Sequence, residues 1–161
     1  MGDWSNFFLG ELGAAAALAG LLFVAVSVNQ TKILQLGRMA DRGLEALVML
    51  LLVLIVTSLT LIPGQSLRLL GAEILFFGIA TIAAVIPLQR GYLRSVDAAY
   101  RRRTGQMAVV NRVAVIIIAL AGLVILWRGD GAGLYLLPAG ILLSFLVAMA
   151  NTWVLLIEIN R

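Results

Sequence analysis

Residues 44–88 read LEALVMLLLVLIVTSLTLIPGQSLRLLGAEILFFGIATIAAVIPL, and this stretch decides the fold. Two apolar runs, 44–62 and 67–88, lie on either side of residues 63–66, where Pro-Gly favours a tight turn and Ser can cap a helix. Each run has about the 20 residues that a helix needs to cross a hydrocarbon core about 30 Å thick. The stretch therefore predicts two antiparallel transmembrane helices.

Outward from this hairpin, three more apolar segments bring the predicted number of spans to five. They cover residues 7–28, 111–127 and 134–157. The chain of 161 residues is 62% hydrophobic and 12% charged, and a soluble domain of this size could not bury so much apolar surface. We therefore expect an all-α integral membrane protein, a single domain over residues 1–161 made of five transmembrane helices.

The missing residue types exclude several kinds of chemistry. The chain has no cysteine and no histidine, which removes disulfides, thiol catalysis, imidazole ligation and the commonest general base. No metalloprotease, nucleotide-binding or dinucleotide-binding pattern stands in the sequence. We expect no enzymatic activity, no cofactor and no bound metal.

Charge predicts the orientation in the membrane. If five spans alternate, ten of the twelve basic residues fall on one side, between the first and second spans, between the third and fourth, and after the fifth. The positive-inside rule then places the N-terminus outside and the C-terminus in the cytoplasm. Arginine outnumbers lysine eleven to one, a bias typical of GC-rich bacterial genomes, so we expect a bacterial inner membrane.

Residues 90–112 hold half of the basic residues and are expected to form a basic cytoplasmic loop. Near an anionic leaflet each basic side chain contributes about 1 kcal/mol of attraction, so the loop predicts contact with anionic lipid. The residues assigned to this contact are Arg90, Arg94, Arg101, Arg102 and Arg103. The alternative is charge that only orients the chain. Nucleic-acid binding is not expected, since the run is short and held at the headgroups.

Acids inside apolar spans are the first candidates for function, because a charged group in the bilayer is costly. Glu11 and Glu73 both fall in the outer part of the membrane and are predicted to line an ion pathway. The alternatives are an acid at the outer interface for Glu11, and a structural hydrogen bond to residues 57–60 for Glu73. Glu45 and Glu158 fall near the cytoplasmic boundary and are expected to be solvated helix ends.

The first span carries small residues on one face. Gly13 and Gly20 recur seven residues apart with Ala17 between them, and this pattern lets another helix backbone approach closely. The partner helix is expected either in the same bundle or in another subunit. The same face could instead line a narrow pore with Glu11 at its mouth.

Uncharged polar residues mark the inner half of the bundle. Ser144 and Asn151 lie on one face of the last span, and Asn111 and Ser27 fall at a similar inner depth. Hydrogen bonds between helices at these positions contribute about 1 kcal/mol each. A polar vestibule is the alternative to such structural hydrogen bonds.

Two classes of function remain open at this point. One is a homo-oligomeric ion channel or small-ion transporter that uses Glu11 and Glu73. The other is an accessory or scaffold subunit that packs against another membrane protein through the small-residue face. Both predict an oligomer or a partner membrane protein, in addition to membrane lipids.

Overall fold

The computed structural model describes residues 2–35, 39–96 and 98–156, and all regular secondary structure within these ranges is helical. The elements are α1 (Gly2–Val28), α2 (Gln30–Gln35), α3 (Met39–Thr60), α4 (Leu67–Ser95), α5 (Ala98–Arg128), a 3-10 helix (Gly131–Leu136) and α6 (Leu137–Leu156). Five helical stretches are long and apolar enough to cross a membrane: α1, α3, α4, α5, and the 3-10 helix with α6. The prediction of an all-α protein with five candidate spans is confirmed.

The hairpin predicted from residues 44–88 is present. Gly64 adopts a left-handed conformation with φ of +73°, which favours glycine, in the turn between α3 and α4. The Ser66 hydroxyl then accepts a hydrogen bond of 3.3 Å from the Leu69 amide and caps α4. Gly129 is also left-handed, with φ of +68°, and stands directly after the last residue of α5.

The helices alternate in direction, so the bundle has two ends. The turn end contains the start of α1 together with residues 61–66 and 129–136, and there the Trp4 and Tyr135 rings meet at 4.9 Å between centroids. The basic end contains α2, the start of α3, the end of α4, the start of α5 and the end of α6. There the Asn29 side chain donates a 2.9 Å hydrogen bond to the Leu155 carbonyl.

The central helix is α3, which packs against α1, α4 and α6, while α5 packs against α4 and α6. Burial follows this arrangement. In the most apolar 18-residue stretch of α3, 56% of the residues are buried, against 17% in that of α1. Helix α1 is therefore peripheral, with most of its surface turned away from the bundle.

Glycines bring α5 close to α4 and α6 in the turn-end half of the bundle. A Cβ atom added to Gly122 would lie 2.6 Å from the Leu75 amide nitrogen and 2.9 Å from the Gly71 carbonyl oxygen. On the other side of α5, a Cβ atom on Gly140 would lie 3.1 Å from the Ala114 carbonyl oxygen. Small residues allow this backbone contact, which replaces hydrophobic attraction between helices in lipid.

The predicted loop over residues 90–112 is wrong in its secondary structure. Helix α4 continues to Ser95 and α5 begins at Ala98, so both parts are helical. The reason is periodicity: Gln89 and Tyr92 are buried on α4 while the neighbouring arginines face outward, an amphipathic pattern that extends each helix. With 29 and 31 residues, α4 and α5 are about 44 and 46 Å long and exceed the hydrocarbon core.

Candidate functional site at the basic end

Glu45 is buried inside the bundle. Its exposed fraction is 1%, and it lies within the candidate span Ala40–Thr60. The expectation of a solvated helix end is therefore wrong for this residue, because α4 and α5 extend past their predicted ends and cover it. Glu158, for which the same was expected, lies outside the described residues.

Three side chains from two neighbouring helices bind the Glu45 carboxylate. Its Oε1 atom accepts hydrogen bonds from Gln89 Nε2 at 2.7 Å and from Asn111 Nδ2. The Tyr92 hydroxyl forms a third hydrogen bond with Glu45. The carboxylate on α3 is thus tied to both α4 and α5.

The spacing along each helix explains why these groups converge. Gln89 and Tyr92 stand three residues apart on α4, and Ala108 and Asn111 stand three apart on α5, so each pair shares a helix face. Gln89 Nε2 also donates to the Ala108 carbonyl at 3.1 Å, which fixes the amide between the two helices.

Arg42 carries the network from α4 to α6. Its guanidinium carbon lies 5.9 Å from the centroid of the Tyr92 ring, within the range of a cation–π contact. Its Nη2 atom donates a 3.2 Å hydrogen bond to Asn151 Oδ1. Together with Glu45, Gln89 and Asn111, these residues form what we call the Glu45 cluster, and it joins four helices.

One acceptor in the cluster has no hydrogen-bond partner in the described part of the chain. Asn111 is fully buried, and its Oδ1 atom is unpaired although its Nδ2 atom binds Glu45. A buried polar atom without a partner costs about 1–3 kcal/mol. The cluster therefore holds one ionisable acid beside one unused carbonyl oxygen, an arrangement suited to binding or releasing a proton.

The two acids predicted to line an ion pathway lie elsewhere. Glu73 is partly buried near the turn end of α4, and its Oε2 atom accepts a hydrogen bond from Gln65 Nε2. The alternative bond to residues 57–60 is not what the structure has, since the Thr57 hydroxyl donates to its own helix at Val53, 2.7 Å away. Glu11 is partly buried on α1.

The structure gives these two acids different neighbours. Helix α1, with Glu11, packs mainly against α3 and α6, whereas α4, with Glu73, packs mainly against α3 and α5. A groove of about 380 Å³ lies far from both, at the basic end between α1, α2, α3 and α6, with Ser27, Gly43 and Leu155 in its lining. An ion pathway along Glu11 and Glu73 stays a prediction.

The four uncharged polar residues predicted at inner depth do not form one group in the structure. Asn111 and Asn151 belong to the Glu45 cluster, as given above. Ser144 is buried but donates its hydroxyl to the Gly140 carbonyl of its own helix at 2.8 Å, and Ser27 is exposed. Sequence analysis assigned Glu45 to a solvated helix end and did not connect it with Gln89 and Tyr92, which stand three residues apart and share a buried face of α4.

The small-residue face of α1 is open. Gly13, Ala17 and Gly20 are exposed, and a Cβ atom added to either glycine would meet nothing within 4 Å. No helix in the described ranges covers this face, so the alternative of a contact inside the same bundle is wrong. The predicted contact with another subunit is untouched by this result.

The basic residues assigned to anionic lipid lie on the outer faces of the extended helices. Arg90 and Arg94 are exposed on α4, and Arg101, Arg102 and Arg103 are exposed on the first turns of α5. The Glu45 cluster uses buried residues of the same helices, namely Gln89, Tyr92 and Asn111. The lipid contact itself stays a prediction.

In comparisons with known proteins, no protein-family model, no curated protein and no solved structure matches this chain. The residues and their geometry therefore carry the whole argument for function.

Proposed function

We propose that this integral membrane protein is a non-enzymatic scaffold or accessory subunit that acts by helix–helix association, and that α1 forms the contact. The observation that carries the proposal is a stripe along the whole exposed side of α1. Its members recur three or four residues apart and are all exposed: Asn6, Gly10, Gly13, Ala17, Gly20, Val24 and Ser27. The α1 stripe is narrow and continuous, and most of its side chains are small.

The energetics of glycine support an external partner. A glycine inside a helix costs about 1 kcal/mol relative to alanine, and the α1 stripe contains three of them. The glycines of α4 and α5 offset this cost by backbone packing, as at Gly71 and Gly122. The α1 glycines have no such contact within the bundle, so the same offset requires a helix from outside.

The partner that the pattern fits best is α1 of a second copy. Copies inserted with the same orientation bring their α1 helices together in parallel, with each residue facing its own counterpart at the same depth. A spacing of alternating three and four residues is the spacing at which paired helices pack, in parallel pairs among others. The expected homo-oligomer therefore follows from one stripe that is complementary to itself, and a different membrane protein is the alternative.

Gly20→Leu tests this contact, because the added volume would hold the two backbones apart. We expect the wild-type protein to be oligomeric in native mass spectrometry from detergent and Gly20→Leu to be largely monomeric. The thermal stability of each single bundle should stay unchanged, since a Cβ atom at Gly20 meets nothing. Ala14→Leu is the matched control, exposed on α1 about a quarter turn from the centre of the stripe. A monomeric wild type, or an oligomer that survives Gly20→Leu, would contradict the proposal.

A second candidate function is small-ion transport through an oligomer. What favours it is that the acids Glu11 and Glu73 both fall within candidate membrane spans, where a charged group is costly. A path through one bundle is disfavoured, since α5 packs backbone to backbone with α4 and α6. In this reading Glu11→Gln and Glu73→Gln reduce ion flux into liposomes. Wild-type protein with no flux above that of empty liposomes would remove this candidate.

We further propose that the basic end faces the cytoplasm of a bacterial inner membrane, with the N-terminus outside. The support is the ten-to-two division of basic residues between the two ends of the chain's spans. Ser66 and Ser95 are exposed at opposite ends of α4. Cysteine placed at Ser66 should react with an impermeant thiol reagent in intact cells, and cysteine at Ser95 should not. The reverse labelling pattern would invert the orientation.

A further inference from the structure

We propose that Glu45 is a proton-binding site inside the membrane, and that the Asn111 amide is the hydrogen-bond partner of its carboxyl group in both protonation states. The inference is independent of the α1 contact, because it concerns the opposite side of α3 and uses none of the exposed stripe. It starts from two buried groups on neighbouring helices, an acid that is 1% exposed and an amide that is 0% exposed.

In the structure the arrangement of partners is that of the ionised acid. Gln89 and Asn111 donate N–H groups to Glu45 Oε1, and Tyr92 adds a further hydrogen bond. Donors of this kind stabilise a carboxylate. The unpaired Asn111 Oδ1 is the cost of this state, since the amide can turn only one of its two ends toward Glu45.

The ligand must be a cation that needs few oxygen atoms. A metal ion such as Ca²⁺ or Mg²⁺ requires six or more oxygen ligands, whereas the described partners of Glu45 present N–H and O–H hydrogens to it. Arg42 and Arg112 add positive charge around the cluster, and this charge disfavours the binding of a metal cation. A proton needs one carboxylate oxygen and one acceptor, and Asn111 Oδ1 is a buried acceptor without a partner.

Protonation requires no other covalent change. A hydronium ion transfers its proton to a carboxylate oxygen of Glu45 and becomes water, and the carboxylate charge is lost. Rotation of the Asn111 side chain about its last torsion then exchanges Nδ2 and Oδ1, so that the new O–H group donates to Oδ1. The bonds from Gln89 and Tyr92 lose their charge assistance, which makes them about half as strong.

The charged and titratable groups around Glu45 come from three helices. Arg42 stands three residues before it on α3, Tyr92 faces it from α4, and Arg112 on α5 acts on Tyr92 through its charge. From α6 the cluster member Asn151 is neutral.

Infrared difference spectroscopy of the protein in lipid vesicles tests the site directly. Acidification should produce a reversible C=O stretching band of a hydrogen-bonded, protonated carboxyl group, and Glu45→Gln should abolish that band. Glu73→Gln is the control, because it removes an acid on another face and should leave the band intact. The proposal is overturned if no protonated band appears while the protein is folded, or if the band persists in Glu45→Gln.

A second variant keeps the test decisive if Glu45→Gln does not fold. Asn111→Ala removes the acceptor, so the band should move to the higher frequency of a carboxyl group without a hydrogen bond, and an unchanged band overturns the role of Asn111. Sodium chloride and choline chloride should give the same titration midpoint. A midpoint that shifts with sodium would show a metal cation competing at Glu45 and would overturn the assignment to a proton.

Discussion

The turn end and the basic end of this bundle are held together by different interactions. At the turn end, glycines let α5 contact α4 and α6 through the backbone. At the basic end, Glu45, Arg42 and their amide partners link four helices through hydrogen bonds. Lipid gives helices no hydrophobic reason to associate, so each end relies on one of the two remaining attractions, close packing or hydrogen bonding.

The difference predicts opposite sensitivities to mutation. The contacts of α5 at the turn end have no space for added side-chain volume. The basic end depends on groups that cannot be removed singly without leaving their partners unpaired. Substitutions that add volume should therefore act at one end, and substitutions that remove polar atoms should act at the other.

The largest effect is expected for Gly122→Leu. A Cβ atom at this position already lies 2.6 Å from backbone, so α4 and α5 must separate, at a cost of about 3 kcal/mol or more. Gly105→Leu is the matched control on the same helix, where a Cβ atom meets nothing within 4 Å. We expect the free energy of unfolding, measured by circular dichroism during titration with denaturing detergent, to fall only for Gly122→Leu. Equal losses in both variants would remove the distinction between packed and open glycines.

A smaller loss is expected for Glu45→Ala at the basic end. Gln89, Asn111 and Tyr92 would lose their common acceptor, and the net cost should be about 2 kcal/mol after water or side-chain rearrangement. Glu73→Ala serves for comparison, since its acid is partly exposed, and should cost less than about 1 kcal/mol. The same unfolding titration separates the two. If Glu45→Ala leaves the free energy of unfolding unchanged, packing alone holds the basic end together.

The smallest effect is expected at Asp130, a polar group at the turn end. The Ala132 amide and the Arg128 guanidinium lower the pKa of Asp130 below its ordinary value of 3.8. A lowered pKa in the folded state contributes stability that is present above the ordinary pKa and is lost as the pH falls through the folded-state pKa. Asp130→Asn should therefore lower the melting temperature slightly at neutral pH. The difference from wild type should vanish in strong acid, and a difference that does not depend on pH would contradict this account.

The length and apolarity of the five segments were sufficient to predict the number of candidate spans, because bilayer thickness determines how many residues a spanning helix needs. The turn at Gly64 and the cap at Ser66 were also predictable, since local chemistry determines both. Asn111 and Asn151 stood out as polar residues at inner depth, and both belong to the Glu45 cluster.

Which helix faces pack together, and which residues meet at the site, depends on how the helices are rotated against one another. No single segment specifies that rotation. Gly20 and Gly122 have similar neighbours in the sequence, yet one faces outward and the other touches a backbone. Glu45 was expected to be solvated because it falls near the predicted cytoplasmic boundary. It is buried because α4 continues past residue 88 and brings Gln89 and Tyr92 against the acid.

The hydrogen bond from Asn29 to the Leu155 carbonyl also has a consequence for biosynthesis. It joins residues 126 positions apart, so α1 enters the bilayer well before the ribosome has made its partner in α6. Helix α1 can rest against α3 in the meantime, and the Asn29 amide has the Ala25 carbonyl within 3.4 Å. The bond that ties Asn29 to α6 forms only after α6 has been made. The basic end is therefore completed only after residue 155 has been synthesised.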